Sequence, residues 1–440
     1  MEHVVAVTIQ YGGQTTRYSP AFQTKPEFAR PWKKVLQEAY GKAIVHCCCS
    51  GIGAKQLSIR HYDDSDTYGL ARFPLSGWEH AKECRFYSPN SIKSGCSSYE
   101  KGVLEERADG TMKIRLGIGL TKRDALPATA KPELPLPSAG ISRTQPAMKL
   151  LGLLHLLWTE TDLNVWWPAM QGKRNVNRIH WWLNGAAEHI TAGKHNLSRV
   201  LLLATSAEGS PDEKRNADKV REAIKTKSRM LVIAPLATHS PERESMIVSK
   251  LPIAGFYGIP PMFMTEAIWF SVERRFPSAV AAWRQGHKVI AIAQIDPKAG
   301  TKCSVANVVD VALMAVTDQW IPVESSYERV IADKLTAEGR AFIKPLRFEA
   351  SEDVVFPDFI LRDTPKEAPL EVFGRNDEAY EARKAEKIGY YREHFGVDGW
   401  WSWNAAMDPS GSNILPFPPA KGHDTLTSRA PISVGSIAHE

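Results

Sequence analysis

The chain has 440 residues, 43% of them apolar, 24% charged and 9% aromatic, a globular balance that excludes a fibrous, wholly disordered or disulfide-dense protein. At about 100 to 200 residues per domain, this length predicts roughly three or four units. Lys and Arg number 55 against 49 Asp and Glu, a formal charge of +6 that suits a polyanionic partner without requiring one.

The opening MEHVVAVTIQYGG has an acidic second residue and no basic n-region. It does not read as a secretory signal, so the expected compartment is the cytoplasm. Residues 1–120 read as β-rich: QLSIRHY alternates, DDSD turns, and TYGLARFP returns as the second strand of a hairpin. Cys47, Cys48 and Cys49 are consecutive, and on a strand Cys47 and Cys49 share a face. His80 and Cys84 stand four apart, on one face of a helical turn. Cys47, Cys49, His80 and Cys84 thus form a candidate tetrahedral zinc set, with Cys96 or His46 as substitutes, and the unit is expected to be zinc-ribbon-like. The alternative is a set of small buried thiols beside a surface histidine.

Residues 121–146 carry five prolines and read as a linker. MKLLGLLHLLW and NRIHWWLNGAAEHI predict the helices of a helical unit over 147–198. The apolar run at 150–158 is far shorter than the roughly 20 residues a membrane span needs, so no membrane partner is expected. Trp158, Trp166, Trp167, Trp181 and Trp182 flank Lys173, Arg174 and Arg178. Aromatic faces beside cations suit nucleic acid, and these three cations are the candidate DNA-contacting loop, while at least three of the indoles are expected in the core.

Residues 199–318 read as an α/β middle, with buried strands at VLLLA, MLVIA and VIAIAQI and a helix at TEAIWFSVERRF. Residues 206–218 read as a long loop. The tail 406–440 is rich in Pro, Ser and Gly and is expected to be disordered. No P-loop, G-x-G-x-x-G, H-E-x-x-H or G-x-S-x-G motif occurs, so nucleotide-motor, zinc-protease and α/β-hydrolase chemistry have no ligand set or nucleophile.

In residues 319–405, SSYERVIADKLTAEGRAF predicts a helix with Glu328 near its start. VVFPDFIL and PLEVFG predict two hairpin strands that bring Asp358 and Glu371 to one edge. Two such acids repel unless a cation lies between them, and hard oxygen donors select Mg²⁺ or Mn²⁺. The helix DEAYEARKAEKIGYYREH aligns Tyr380, Arg383 or Lys384, Lys387 and Tyr391, so one face is both aromatic and cationic.

The succession Tyr327-Glu328, Pro357-Asp358, Glu371, then Tyr380 and Lys387 resembles the PD-(D/E)xK nuclease-like superfamily over about a fifth of the chain. The resemblance implies an α+β multidomain protein whose last domain is an αβββαβ restriction-endonuclease-like core hydrolysing phosphodiesters with Mg²⁺. It implies Asp358, Glu371 and the Val372 carbonyl as metal ligands and Glu328 as an auxiliary acid. The motif's lysine belongs at position 373, where Phe373 stands, so Lys387 or Lys384 would replace it; Tyr380, Arg383 and Lys384 would face DNA. The three cysteines, LARFP followed by His80 and Cys84, and WIPVESSYE also resemble an uncharacterised bacterial family carried by plasmids and integrative elements. That likeness gives a mobile-element context without an activity; within it the expected roles are DNA processing or defence, or a scaffold with protein partners in a mobile-element complex. An inactive nucleic-acid-binding protein is the alternative to a nuclease.

Overall fold

The structure is a computed structural model describing residues 4–62, 66–73, 76–81, 83–87, 103–107, 110–122, 147–246, 250–254, 257–346 and 356–421. Most of the expected linker, Cys96 and the last part of the tail lie outside these residues.

The first sheet is antiparallel throughout, in the order Gln14–Tyr18, Val7–Tyr11, Ile44–Cys47, Gln56–Tyr62, Thr67–Arg72. The two expected hairpin strands are its last pair, and helix Ala29–Ala39 buries Leu36 and Ala39 among the apolar side chains that the sheet contributes. A second, four-stranded sheet runs His195–Asn196, Ile190–Ala192, Met112–Ile114, Leu104–Glu106. Two of its strands precede the Pro-rich stretch and two follow it, so the ladder crosses the expected boundary.

The third sheet is the middle layer, in the order Leu201–Leu203, Met230–Pro235, Val289–Lys298, Val305–Ala315, Met262–Phe263. Its outer pairs are parallel and its inner pairs antiparallel. Ile290 and Ile292 point to one apolar cluster, while Val289, Ala291 and Ala293 point to another, as the two-residue period of a strand requires. Helix Leu150–Glu160 and helix Val176–Glu188 cover the first of these faces. The expected helical unit is therefore one wall of the middle core and not a separate body. Of the five tryptophans, Trp158 and Trp166 are fully buried, Trp167 and Trp182 are half-buried and Trp181 is exposed, so two rather than three are core.

The expected loop at 206–218 is instead the start of helix Pro211–Lys225. Ser210 accepts from the Glu213 N–H, Glu213 accepts in return from the Gly209 N–H, and Pro211 fits the first helical turn. The residues that looked like a turn are a reciprocal helix cap.

The fourth sheet runs Trp401–Trp403, Ala368–Val372, Phe359–Leu361, Phe342–Ile343, Val165–Trp166. Only its first pair is parallel. With helices Ser326–Ala337 and Glu378–Phe395, the chain order from 326 onward is α, β, β, β, α, β. The first part of the tail is ordered against this layer: Phe417 is buried against Trp401, and the Pro418 carbonyl accepts from Arg340. Among the described residues no helix is long and apolar enough to cross a membrane.

Candidate functional site

In the fourth sheet Phe359 pairs with Leu370, the last pair of the ladder before Asp358. Asp358 lies close enough to Glu371 for its charge to raise that carboxyl. Asp358 is fixed from both sides: its N–H donates to the Leu370 carbonyl (3.0 Å), and its Oδ2 accepts from the Val372 N–H (2.7 Å). Glu371 is 2% exposed. Its two oxygens accept from Lys387 Nζ at 3.0 Å each, and Oε1 also accepts from the Tyr391 hydroxyl at 2.6 Å. Burial, followed by the charge of Asp358, pushes the Glu371 carboxyl up to about 8 despite these donors.

Phe373 occupies the position two residues beyond Glu371. It is buried, and Lys384 lies 5.3 Å from its ring centroid while pairing with Glu381 at 3.1 Å. Lys387, one helical turn further along, is the cation that reaches Glu371. The structure thus separates the two lysines between which the sequence left the choice open. Tyr380 is half-buried near both acids, whose charges add to burial in raising its hydroxyl. Arg383 is exposed.

Glu328 is the third residue of its helix. Ser325 accepts from the Glu328 N–H (3.1 Å), and Glu328 Oε2 accepts from the Glu324 N–H (2.9 Å), so the acid helps cap the helix start. The same oxygen lies 2.9 Å from Lys344 Nζ, with side chains 8% and 2% exposed. Burial pushes Glu328 up to about 7 against the pull of Lys344, and Asp358 adds to the rise. Lys344 was not singled out from sequence. It follows strand Phe342–Ile343, and its backbone exchanges two hydrogen bonds with Asn164. Pro345 favours extended backbone at this position, which helps aim the lysine inward. Asp358 thus stands near two acid–lysine pairs, Glu371 with Lys387 and Glu328 with Lys344.

The second cluster lies at the end of strand Ile44–Cys47. Cys47, Cys49, His80 and Cys84 are all buried, with one ligand atom from each within 4.8 Å of the others. The Cys47–Cys84 sulfurs are 3.6 Å apart, and His80 Nδ1 lies 3.6 Å from Cys49 and 3.8 Å from Cys84. Tetrahedral edges around zinc are ~3.8 Å for S–S and ~3.6 Å for S–N, from bond lengths of about 2.3 and 2.05 Å. The Ala81 N–H donates to Cys49 Sγ at 3.3 Å. Cys84 holds its proton less tightly and Cys47 more tightly, chiefly because the two thiols share a hydrogen bond. Among the described residues His80 Nε2 is buried without a hydrogen-bond partner, and the ring's Nδ1 lies against sulfurs. The donor set fits a structural metal ion.

The family described as Protein of unknown function (DUF1173) matches residues 21–406. The chain belongs to this family. Comparisons with curated proteins and with solved structures returned no match. The region shared with the DUF1173 family includes both clusters, the Cys/His set near its start and the carboxylates near its end.

The expected DNA-contacting loop of this DUF1173 chain needs correction. Arg174 is 8% exposed, and its guanidinium donates to the carbonyls of Asp162, Leu163, Val165 and Gln319. Burial lowers its pKa to about 10. It pins the chain where helix and sheet meet, and its burial keeps it from a phosphate in solution. Lys173 and Arg178 are exposed.

Proposed function

We propose that the carboxylate–lysine cluster is a metal-dependent phosphodiesterase site of the PD-(D/E)xK kind, acting on DNA in the cytoplasm, in the processing or defence of mobile elements. The observation that carries this reading is that Asp358, bonded to the Leu370 carbonyl and the Val372 N–H on either side of Glu371, meets that second acid with Lys387 on it. The α, β, β, β, α, β order around them supports it. Asp358, Glu371 and the Val372 carbonyl are hard oxygen donors suited to Mg²⁺ or Mn²⁺. Such an ion, when bound, polarises a phosphoryl oxygen and lowers the pKa of a bound water. The chain's own residues do the rest: Lys387 supplies positive charge beside the reacting phosphate, and Tyr391 fixes the Glu371 carboxylate. The buried Glu328–Lys344 pair holds the face beside Asp358. At the Cys/His cluster, the chemistry of the donors favours zinc in a structural role.

The test is cleavage of linear, nicked and single-stranded DNA with Mg²⁺ or Mn²⁺, comparing the wild type with Asp358→Asn. Metal-stimulated cleavage lost in the variant is expected. A second reading, nucleic-acid binding or scaffolding without turnover, has its own support: Lys387 already neutralises both Glu371 oxygens, and Phe373 replaces the motif's lysine. DNA binding by a wild type inert with both ions would favour that reading. Absence of DNA affinity even at low salt would leave the scaffold.

A further inference from the structure

Beyond the end of strand Val165–Trp166 a cavity of about 900 Å³ opens towards the loop that follows Phe359–Leu361. It lies apart from the carboxylate cluster. Asp358 precedes and Arg362 follows the same strand, roughly 13 Å apart at ~3.3 Å per residue. The cavity's size is in the range of small-molecule sites.

Its chemistry is divided. Half-buried indoles of Trp167 and Trp182 form part of the wall. The Arg362 guanidinium lies 4.2 Å from the Trp167 ring centroid and 4.7 Å from that of Tyr87, so a cation–aromatic stack already stiffens one side.

The acids in the lining are engaged by the protein. Asp363 holds Arg340 with both oxygens, at 2.8 and 2.9 Å, and Glu367 accepts from the Tyr87 hydroxyl at 2.6 Å. Glu83 pairs with Lys421 at 3.6 Å. Lys173 and Arg178 also line the cavity and have no carboxylate partner among the described residues. Arg178 donates to the Lys173 carbonyl at 3.3 Å, which holds the guanidinium beside the Lys173 backbone. The charge left for a ligand is positive, next to flat apolar surfaces.

We infer that this cavity binds a nucleotide, its phosphate on Lys173 and Arg178 and its base against the indoles of Trp167 and Trp182. A ligand that is flat and aromatic at one end and anionic at the other matches the division of the walls, and neither half alone uses both. The inference stands apart from the phosphodiesterase reading, because none of these side chains belongs to the carboxylate cluster.

Calorimetric titration of the full chain with dAMP tests for a free nucleotide. Anisotropy with a fluorescent, 5′-phosphorylated oligothymidylate tests for a nucleotide within a strand. Binding in either arm is expected. It should weaken about tenfold or more in Lys173→Glu/Arg178→Glu, whose side chains are exposed and whose exchange leaves the core intact, and also in Trp182→Leu. Deoxyadenosine and inorganic phosphate should each compete less well than dAMP. Asp358→Asn should bind as the wild type does, and a wild type that binds but cleaves with neither Mg²⁺ nor Mn²⁺ would sink the phosphodiesterase and leave the nucleotide site standing. No binding in either arm, or unchanged binding in the double charge reversal, would overturn the inference.

Discussion

The two polar clusters solve opposite problems. In the Cys/His cluster three thiols and an imidazole meet at one point, the Lys55 ammonium bonds the Cys49 carbonyl and not the sulfurs, and among the described residues one buried ring nitrogen has no hydrogen-bond partner. An added cation would complete it. In the carboxylate cluster the acids already have lysines: Lys344 on Glu328 and Lys387 on Glu371. A cation there must join or displace charge that is present. The first arrangement suits a resident metal that holds a fold, and the second suits an exchangeable ion at a working site.

The largest effect expected from this contrast is on the thiol side. Structural zinc can contribute about 10 kcal/mol or more to a small unit, so Cys49→Ser should lose the ion and unfold the first sheet. Zinc analysis of the purified chain with a thermal melt checks this. A metal-free wild type whose melt is unchanged by chelator would remove the contrast. Gly51 belongs to the same prediction: a Cβ there would lie 2.0 Å from the Glu79 carbonyl oxygen, so Gly51→Ala should displace the turn carrying His80.

On the carboxylate side the next effect is electrostatic. Removing one partner of a buried pair costs about 3–5 kcal/mol, because the other charge is left alone. Lys344→Ala should therefore destabilise strongly by denaturant unfolding, whereas the double change Lys344→Met/Glu328→Gln should recover most of the loss. If the single and double variants lose the same stability, Lys344 is simply a packing residue.

Glu371 gives the contrast a pH dependence. Its folded pKa of about 8 lies above the ordinary value of 4.5, so the folded chain keeps a proton that the unfolded chain has released. Stability from this group is present below the unfolded value and falls as pH rises from about 4.5 towards 8. Metal-stimulated cleavage should run the other way, rising through the same window as the carboxylate becomes free to take an ion. A cleavage rate that is flat between pH 6 and 9 would detach Glu371 from the ion.

The two clusters were not equally legible in the sequence. Four Cys and His ligands announce themselves because soft donors are rare and their spacing has few uses, and the structure brings all four together. Asp358, Glu371 and Lys387 could be aligned from strand and helix periods, since each period fixes a face. Lys344 could not: AFIKPL reads as an apolar strand end, and its partner lies across a helix–strand packing that local pattern does not encode. Arg174 failed for the converse reason. A cation between tryptophans looks like a nucleic-acid contact, and only the tertiary fold shows the four carbonyls that consume it. The strands that cross the Pro-rich stretch escaped because two- and three-residue strands carry almost no periodic signal.

The smallest expected effect is also the most discriminating. Tyr391 is packed between helix and sheet, 5.2 Å from the Trp400 ring, and its hydroxyl is one of two donors that favour the ionised form of Glu371 against burial. Tyr391→Phe keeps the ring and removes only that bond, at a cost of about 1 kcal/mol or somewhat more for a charged acceptor. Because the lost donor favours the carboxylate, Glu371 should become harder to ionise, and the cleavage profile should shift to higher pH with its plateau retained. Lys387→Met should shift the profile the same way but lower the plateau, if the ammonium also serves the phosphate as the phosphodiesterase reading has it. Equal plateaus in the two variants would reduce Lys387 to a counter-ion and favour a site that binds without turnover.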